Sequence, residues 1–568
     1  MNITGKKLFV KALKAEGVDT IFAYPGGMVT DILDEIDKQG GIRIILPRHE
    51  QALIHAAEGY ARATGKTAVC LVTSGPGATN TITGLTDAFY DSIPMVCFTG
   101  QVARNLVGND AFQEVDMVGL TRNITKYSVM VQKRENMGRI IKDAFYIART
   151  GKPGPVVIDI PKDIQVASGD PDYPETVDIR GYKPPEGVHV GQLKKAWKTL
   201  KSAKRPLILA GGGVLISGAQ EEMQRFVEET RVPVVTTVMG RGAVPTYHPF
   251  YVGDAGLHGS YCCNQAIAAC DVLFSIGTRF NDRITGSLQE FAPNAQIVHI
   301  DIDSASISRN VVVNVPIVAD AKVALEKLLE WAEPIETADW RKTIQEWDNK
   351  YPMSMPNDVG LTPQAVIEGI NEIFEKAIIT TDVGQHQMWA SQFLELDANK
   401  KMITSGGFGT MGFGFPAAIG AKIACPDKTV VAITGDGGFQ MNMQEMATSV
   451  IEHAPVVVVL MNNMNLGMVR QMQNVYYGKR YVATSLKMHE EDVEKGAPIY
   501  VPDFVKWADS YGVEGIRITE REQIIPALQK AKEREEGGMS TLLEFLINED
   551  ELVLPMVKAG KGATDMIL

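Results

Sequence analysis

The chain lacks what would place it in a membrane, in an oxidising compartment or on a polyanion. No uninterrupted apolar stretch reaches the roughly 20 residues of a membrane-spanning helix. Cysteine is scarce. The 6 in 568 residues (Cys70, Cys97, Cys262, Cys263, Cys270 and Cys425) include no C-x-x-C spacing. That excludes a disulfide framework and fits reduced, buried thiols. The adjacent Cys262 and Cys263 read as two small core residues or as a redox pair. Positive charge is in deficit, with 56 Lys+Arg against 68 Asp+Glu and a net charge of −12. An acidic surface argues against a nucleic-acid or anionic-membrane partner, though not against a local basic pocket for phosphates. The start, MNITGKKLFVKALKAEGVD, runs directly into an amphipathic helical pattern without the apolar core and cleavage site of a secretory signal. A soluble, cytoplasmic protein is expected.

What is present is ordinary globular material, 45% hydrophobic and 22% charged, long enough for three or four domains. Two stretches rich in proline and charge read as connectors, 167–190 and 335–361. They leave segments 1–166, 191–334 and 362–548, and a tail 549–568. Each segment alternates short apolar strands with amphipathic helices, which predicts α/β domains with doubly wound parallel sheets.

The most specific pattern is Gly435-Asp436-Gly437-Gly438, between the apolar runs Thr429–Thr434 and Val456–Met461, with Asn462-Asn463 closing the second run. Strand, turn, helix (Phe439–Ile451) and parallel strand bring Asp436 and Asn463 to one sheet edge. A carboxylate and an amide oxygen beside a helix N-terminus suit Mg²⁺ shared with a diphosphate. A Gly-Asp-Gly alone is merely a turn; the full pattern resembles the thiamine diphosphate motif. The first segment repeats the plan. Ala68–Thr73 is a strand, Ser74–Gly77 a turn, Thr79–Phe89 a helix, and Pro94 opens the next strand. Thr73 and Pro94 lie 21 positions apart, as do Thr434 and Pro455, which suggests an internal repeat or the shared spacing of parallel α/β proteins. Glu50 follows the strand Ile42–Leu46 and opens the helix Ala52–Ala63; by itself such a residue is a helix-start carboxylate. In the middle segment, strands end at Gly211-Gly212-Gly213, at Gly277 ahead of Arg279, and at Asp301. These endings suit a dinucleotide, or a plain Rossmann-like domain, since the spacing is not G-x-G-x-x-G.

Taken together, Ala23–Gly27 (AYPGG), Arg48-His49-Glu50, Ala57–Arg62 (AEGYAR), Thr73–Asn80 (TSGPGATN), Asp110–Glu114 (DAFQE), Gly154-Pro155 and Asp159–Gln165 (DIPKDIQ) resemble the catalytic large subunit of the acetohydroxyacid (acetolactate) synthase family over nearly the whole chain. The resemblance implies three domains, the outer two alike and binding the pyrimidine and diphosphate ends of thiamine diphosphate, the middle one holding FAD. It implies an enzyme that decarboxylates pyruvate and ligates the two-carbon unit to a second 2-oxo acid, pyruvate or 2-oxobutanoate, for branched-chain amino-acid synthesis. Glu50 would activate the cofactor. Gln113 and Gly27 would border the reacting centre, Lys162 the entrance channel, and Arg283 would hold the acceptor's carboxylate. Asp436, Asn463 and the carbonyl of Asn465 would bind Mg²⁺. Gln385, His386, Gly409, Met411, Gly437, Gly438, Gly467 and Met468 would contact thiamine diphosphate. FAD would meet Gly211, Gly212, Gly213, Thr237, Met239, His258, Gly277, Arg279, Asp301 and Asp320. The cofactor site would join two chains, so a homodimer or a dimer of dimers is expected, with a separate small regulatory subunit. Other readings are a flavin-dependent pyruvate oxidase, another thiamine diphosphate decarboxylase or carboligase, or a non-enzymatic binding paralogue. Four positions depart from the family's usual residues. Lys152 stands for arginine, Met472 for the tryptophan that packs on 2-oxobutanoate, and Ala103 and Met28 for proline and alanine of the channel. A weakened preference for 2-oxobutanoate follows from Met472.

Overall fold

In the computed structural model the described residues are 2–355 and 360–568; positions 356–359, part of the second connector, lie outside them. Three six-stranded sheets organise the chain, and every pairing within them is parallel. The first uses Thr20–Tyr24, Arg43–Ile45, Ala68–Val72, Met95–Gln101, Tyr127–Met130 and Pro155–Pro161. Counted along the chain, its strands lie side by side in the order 2-1-3-4-6-5. The third uses Ala377–Thr381, Lys401–Thr404, Thr429–Gly435, Val457–Asn462, Glu514–Ile518 and Thr541–Leu546, in the same order. The equal 21-residue spacings therefore span equivalent units, strand 3 to strand 4 of two sister sheets. The middle sheet runs 3-2-1-4-5-6, the order of dinucleotide-binding folds.

Alternation along each strand feeds a core on both faces. In the first sheet Val69, Leu71, Val96 and Phe98 face one cluster, and Cys70, Val72, Met95 and Cys97 the other. In the third, Val431 and Ile433 oppose Val430 and Ala432. Cover on both sides explains why these strands read as continuous apolar runs.

Several elements differ from the sequence reading. The helix expected at 439–451 starts at Asp436 and breaks into Asp436–Asn442, a 3₁₀ turn Met443–Glu445, and Met446–Ile451. The one expected at 79–89 is two, Pro76–Thr79 and Ile82–Asp91. The connector 335–361 contains a helix, Ala338–Lys350, anchored by buried Trp340 and Ile344 on the middle domain; an i, i+4 apolar pair amid charges is too sparse a signal to stand out. The tail 549–568, for which no element was expected, forms a short antiparallel pair, Met556–Val557 with Met566–Ile567, and buries Val553 and Met556.

The outer domains meet through two helices, Glu50–Thr64 and Gly414–Ala424. A Cβ on Gly59 would lie 2.0 Å from the Ala417 carbonyl oxygen, and one on Gly420 would lie 1.8 Å from that of Ala56. Both glycines are there because backbone touches backbone. Helix Gly414–Ala424 is apolar but for Lys422, which is paired with Glu535, because this contact covers one side and its own sheet the other.

Candidate active site

At the edge of the third sheet, Asp436 is the first helical residue after strand 3, and Asn463 follows strand 4. Asp436 is buried. It accepts from the Tyr500 hydroxyl (3.2 Å) and faces the amides of Gly437 and Asn463. Burial pushes its carboxyl up to about 7, against the lowering effect of these hydrogen bonds. Asn463 donates through Nδ2 to Gln385 Oε1 (3.2 Å) and accepts the Asn465 amide at Oδ1 (3.1 Å). Asp436, Asn463 and Asn465 line a cavity of about 60 Å³ with Gly384, Gln385, His386, Met411, Gly437, Gly438, Gly467 and Met468. This is an all-oxygen donor set that lacks positive charge, which suits a hard divalent cation. His386 is buried, which pushes its imidazole down to about 3, and its Nε2 has no hydrogen-bond partner. A buried orphan nitrogen beside a helix N-terminus is what a diphosphate oxygen would satisfy.

The glycines here are close-approach residues. A Cβ on Gly438 would meet Asp382 Oδ1 at 2.2 Å, and one on Gly467 would meet Gln385 Oε1 at 2.1 Å. Asp382 is a residue that sequence reasoning missed. Buried at the end of strand 1, it accepts the amides of Val383 (2.8 Å), Gly412 (3.0 Å) and Gly414 (2.9 Å). Its sequence signal was the acid after the apolar run Ala377–Thr381. Tyr500 was also missed; it lies 64 positions from Asp436, with no local pattern to announce it.

Glu50 opens its helix and is buried, with Oε2 accepting from Asn80 Nδ2 (3.0 Å). A Cβ on Gly77 would lie 3.3 Å from its Oε1, and one on Gly75 would press on Gln113, which itself has φ +59°. Lys162 Nζ donates to the Gly27 carbonyl (2.9 Å) and pairs with Asp31 (2.9 Å). The Met28 amide reaches Thr73 Oγ1 (3.4 Å), and a Cβ on Gly77 would touch that same threonine at 2.8 Å. Glu50, Gln113, Gly27 and Lys162 thus gather at the C-terminal edge of the first sheet. None of the four lines the Asp436 cavity of the same chain.

A second cavity of about 1060 Å³ opens at the C-terminal edge of the middle sheet. Gly212, Gly213, Thr237, Met239, His258, Gly277, Arg279, Arg283, Asp301 and Asp320 all line it, together with Gly409, Met411, Met468 and Met472. Gly211 is not among the lining residues; it is the extended residue that precedes the short helix Gly212–Ile216. Gly277, at φ +63°, packs so tightly on Gly213 that a Cβ would meet backbone at 2.6 Å. The volume suits a ligand of dinucleotide size. Two lining residues, His258 and Asn281, carry unpartnered buried atoms, Nδ1 and Oδ1. Burial lowers His258 to about 4, leaving it neutral. The Asp320 carboxylate caps a helix, its Oδ1 accepting the Lys322 (2.9 Å) and Val323 (3.3 Å) amides. Asp301 accepts the Asp303 amide at 2.8 Å. Lys152 also lines the cavity, 3.8 Å from Asp303, with its ammonium held down by burial and then by Arg279. The two cavities share Val383, Gly384, Met411, Met468 and Val469.

Sister sheets flanking a Rossmann-like one, with a buried carboxylate and amide side chains around a small cavity on the third, are the arrangement of a thiamine diphosphate enzyme. Family profiles agree: the N-terminal TPP-binding domain of thiamine pyrophosphate enzymes matches residues 3–120, the central domain 193–328 and the C-terminal TPP-binding domain 382–544. The chain is 46% identical to the "Probable acetolactate synthase large subunit" of Methanocaldococcus jannaschii (99% of this chain, 95% of the relative). It is 43% identical to the acetolactate synthase large subunit of Corynebacterium glutamicum (99% and 90%). It is 42% identical to acetolactate synthase isozyme 3 large subunit of Escherichia coli (100% and 98%). The chain belongs to the acetolactate synthase large-subunit family. Among the described residues, no helix is long and apolar enough to cross a membrane.

Proposed function

We propose that this enzyme joins two 2-oxo acids with loss of one CO₂. Two pyruvates would give 2-acetolactate; pyruvate with 2-oxobutanoate would give 2-aceto-2-hydroxybutanoate, both precursors of branched-chain amino acids. The observation that carries the reading is the buried Asp436–Asn463 pair at the helix start beside His386, in a chain that matches relatives named acetolactate synthase large subunit over 90–98% of their length. Bound thiamine diphosphate would supply a nucleophilic carbon and a sink for the electron pair released with CO₂.

Asp436, Asn463 and the Asn465 carbonyl would hold Mg²⁺, and His386 Nε2 a diphosphate oxygen. Met411, between the two cavities, would press the cofactor into a bent shape. Glu50, oriented by Asn80, would exchange a proton with the pyrimidine ring nitrogen, assistance worth about 10²–10⁴-fold. Gln113 and Gly27 would border the reacting carbon, Lys162 would line its approach, and the Arg283 guanidinium would grip the acceptor's carboxylate. FAD would fill the larger cavity, with Lys152 acting there as a point charge in place of a bidentate guanidinium. Because Glu50 lines neither cavity of its own chain, we assign the complete site to a homodimer or a dimer of dimers. The relatives' designation as large subunits supports a separate small regulatory partner. A cytoplasmic setting accords with the six unpaired cysteines.

The test is an acetolactate assay with pyruvate, omitting thiamine diphosphate, Mg²⁺ and FAD in turn. Each omission should reduce product formation. Oxygen uptake stoichiometric with pyruvate, and no acetolactate, would point to an oxidase instead.

A further inference from the structure

The loop between strand 2 of the third sheet and helix Gly414–Ala424 carries Gly409, Thr410 and Met411, yet part of its anchorage comes from the first domain. Ser405 is fully buried, and its hydroxyl is saturated. It donates to Asp87 Oδ1 (2.5 Å) and accepts the amides of Gly409 (3.0 Å) and Thr410 (2.9 Å). Asp91, one helical turn beyond Asp87 on helix Ile82–Asp91, accepts the amides of Gly407 (2.6 Å) and Gly406 (3.1 Å). Contact is tight enough to require glycine, since a Cβ on Gly407 would lie 2.4 Å from Asp91 Oδ1. The far end of the loop is held by Asp382. Behind Asp87 stand His55 and Glu58, buried on the helix that Glu50 opens, with His55 Nδ1 3.0 Å from Glu58 Oε1. Burial first, and then a neighbouring carboxylate (Glu58 beside Asp87, Asp91 beside Glu58), raise both groups well above the usual carboxylate range.

We propose that Asp87, acting through Ser405, and Asp91, acting directly, are positioning residues that set the Met411 loop from the neighbouring domain. This rests on the reading of Met411 as a thiamine contact. The consequence is that cofactor geometry in the third domain depends on side chains of the first, and therefore on how helices Glu50–Thr64 and Ile82–Asp91 are seated.

Four variants test it: Ser405→Ala, Ser405→Thr, Asp87→Ala and Asp87→Asn. Three readouts are amide exchange of 405–412 in the cofactor-free protein, thiamine diphosphate affinity in the presence of Mg²⁺, and kcat against KM for pyruvate at saturating cofactor. Ser405→Ala and Asp87→Ala should each speed exchange in that segment, weaken cofactor binding and lower kcat by about tenfold, as loss of buried hydrogen bonds implies, with KM unchanged. Ser405→Thr and Asp87→Asn retain the hydroxyl and an acceptor oxygen and should restore both properties. The double alanine variant should be no worse than either single one. Parental exchange in the alanine variants, or equal damage from the conservative ones, would overturn the proposal. Exchange of the strands Thr429–Gly435 and Val457–Asn462 reports whether a variant is folded. Failure of the parent to bind thiamine diphosphate would sink the functional reading, while the exchange comparison would still decide the anchor.

Discussion

Glu50 and Asp436 occupy matching places, a buried carboxyl at the start of a helix on the C-terminal edge of a parallel sheet, but their surroundings assign them different work. Asp436 sits among amides and a tyrosine hydroxyl, with room for a cation; Glu50 is held by a single amide group, from Asn80. Glu50→Gln should therefore cut turnover by about 10²–10⁴-fold while leaving the thermal midpoint unchanged, and near-parental activity would remove its role. Met472 lines the large cavity as a flexible apolar residue. Met472→Trp should raise the product ratio in favour of 2-aceto-2-hydroxybutanoate by about tenfold, within the 1–3 kcal/mol that one methylene allows, as read in a pyruvate/2-oxobutanoate competition. Asp159 gives a pH signature. Burial lifts its carboxyl from 3.8 to about 7, although Thr99 (2.7 Å) and Gln101 (2.9 Å) bond to it. Between those values the folded chain holds a proton that the unfolded chain has released, so this group's contribution to stability falls as pH rises from about 4 to 7. In Asp159→Asn that part of the slope should vanish from denaturant midpoints measured across the window; an unchanged slope would contradict the assignment.

At the scale of elements, the crossing of helices Glu50–Thr64 and Gly414–Ala424 is the contact that propensity would misjudge. Replacing glycine with alanine inside a helix gains about 1 kcal/mol. At Gly420, however, the new Cβ would lie 1.8 Å from a carbonyl oxygen, and prising such packing apart costs about 1–3 kcal/mol or more. Gly420→Ala should thus lower the urea midpoint, and a rise would show that the helices can separate freely. Elements with strong local patterns were legible in advance. The strand expected to end at Gly277 does so, as Val272–Ile276, and the strands expected on either side of Gly435–Gly438 form within one residue of their bounds, although the turn expected between them is the strand's end and the helix's start. Helix Ala338–Lys350 was not, because its burial rests on a few aromatic and aliphatic contacts within a charged stretch. Nor were the breaks inside the two helices that follow strand 3, where the chain turns to wrap a site and periodicity is lost.

For the whole molecule, the decisive question is whether one chain completes a site. If Glu50 acts on a cofactor held by a partner's Asp436, mixing inactive Glu50→Gln and Asp436→Ala chains should restore about one quarter of parental activity, since half of random dimers are mixed and each has one intact site. No recovery on mixing, with subunit exchange verified, would place both halves in a single chain. The sister relation of the outer sheets, the dinucleotide-type middle sheet and the meeting of Asp436 and Asn463 at one sheet edge were readable in the linear chain, because parallel strands buried on both faces are continuous apolar runs and both residues follow such a run; Glu50 stood out only through the family resemblance. Tyr500 and the Asp87–Ser405 bridge were not, and of Asp382 only its place after an apolar run was. Their partners lie tens to hundreds of positions away, and a hydrogen bond between remote side chains leaves no period or spacing in the sequence. Folding alone decided them, by bringing helix Ile82–Asp91 of one domain against a loop of another where buried carboxyl and amide groups must find each other.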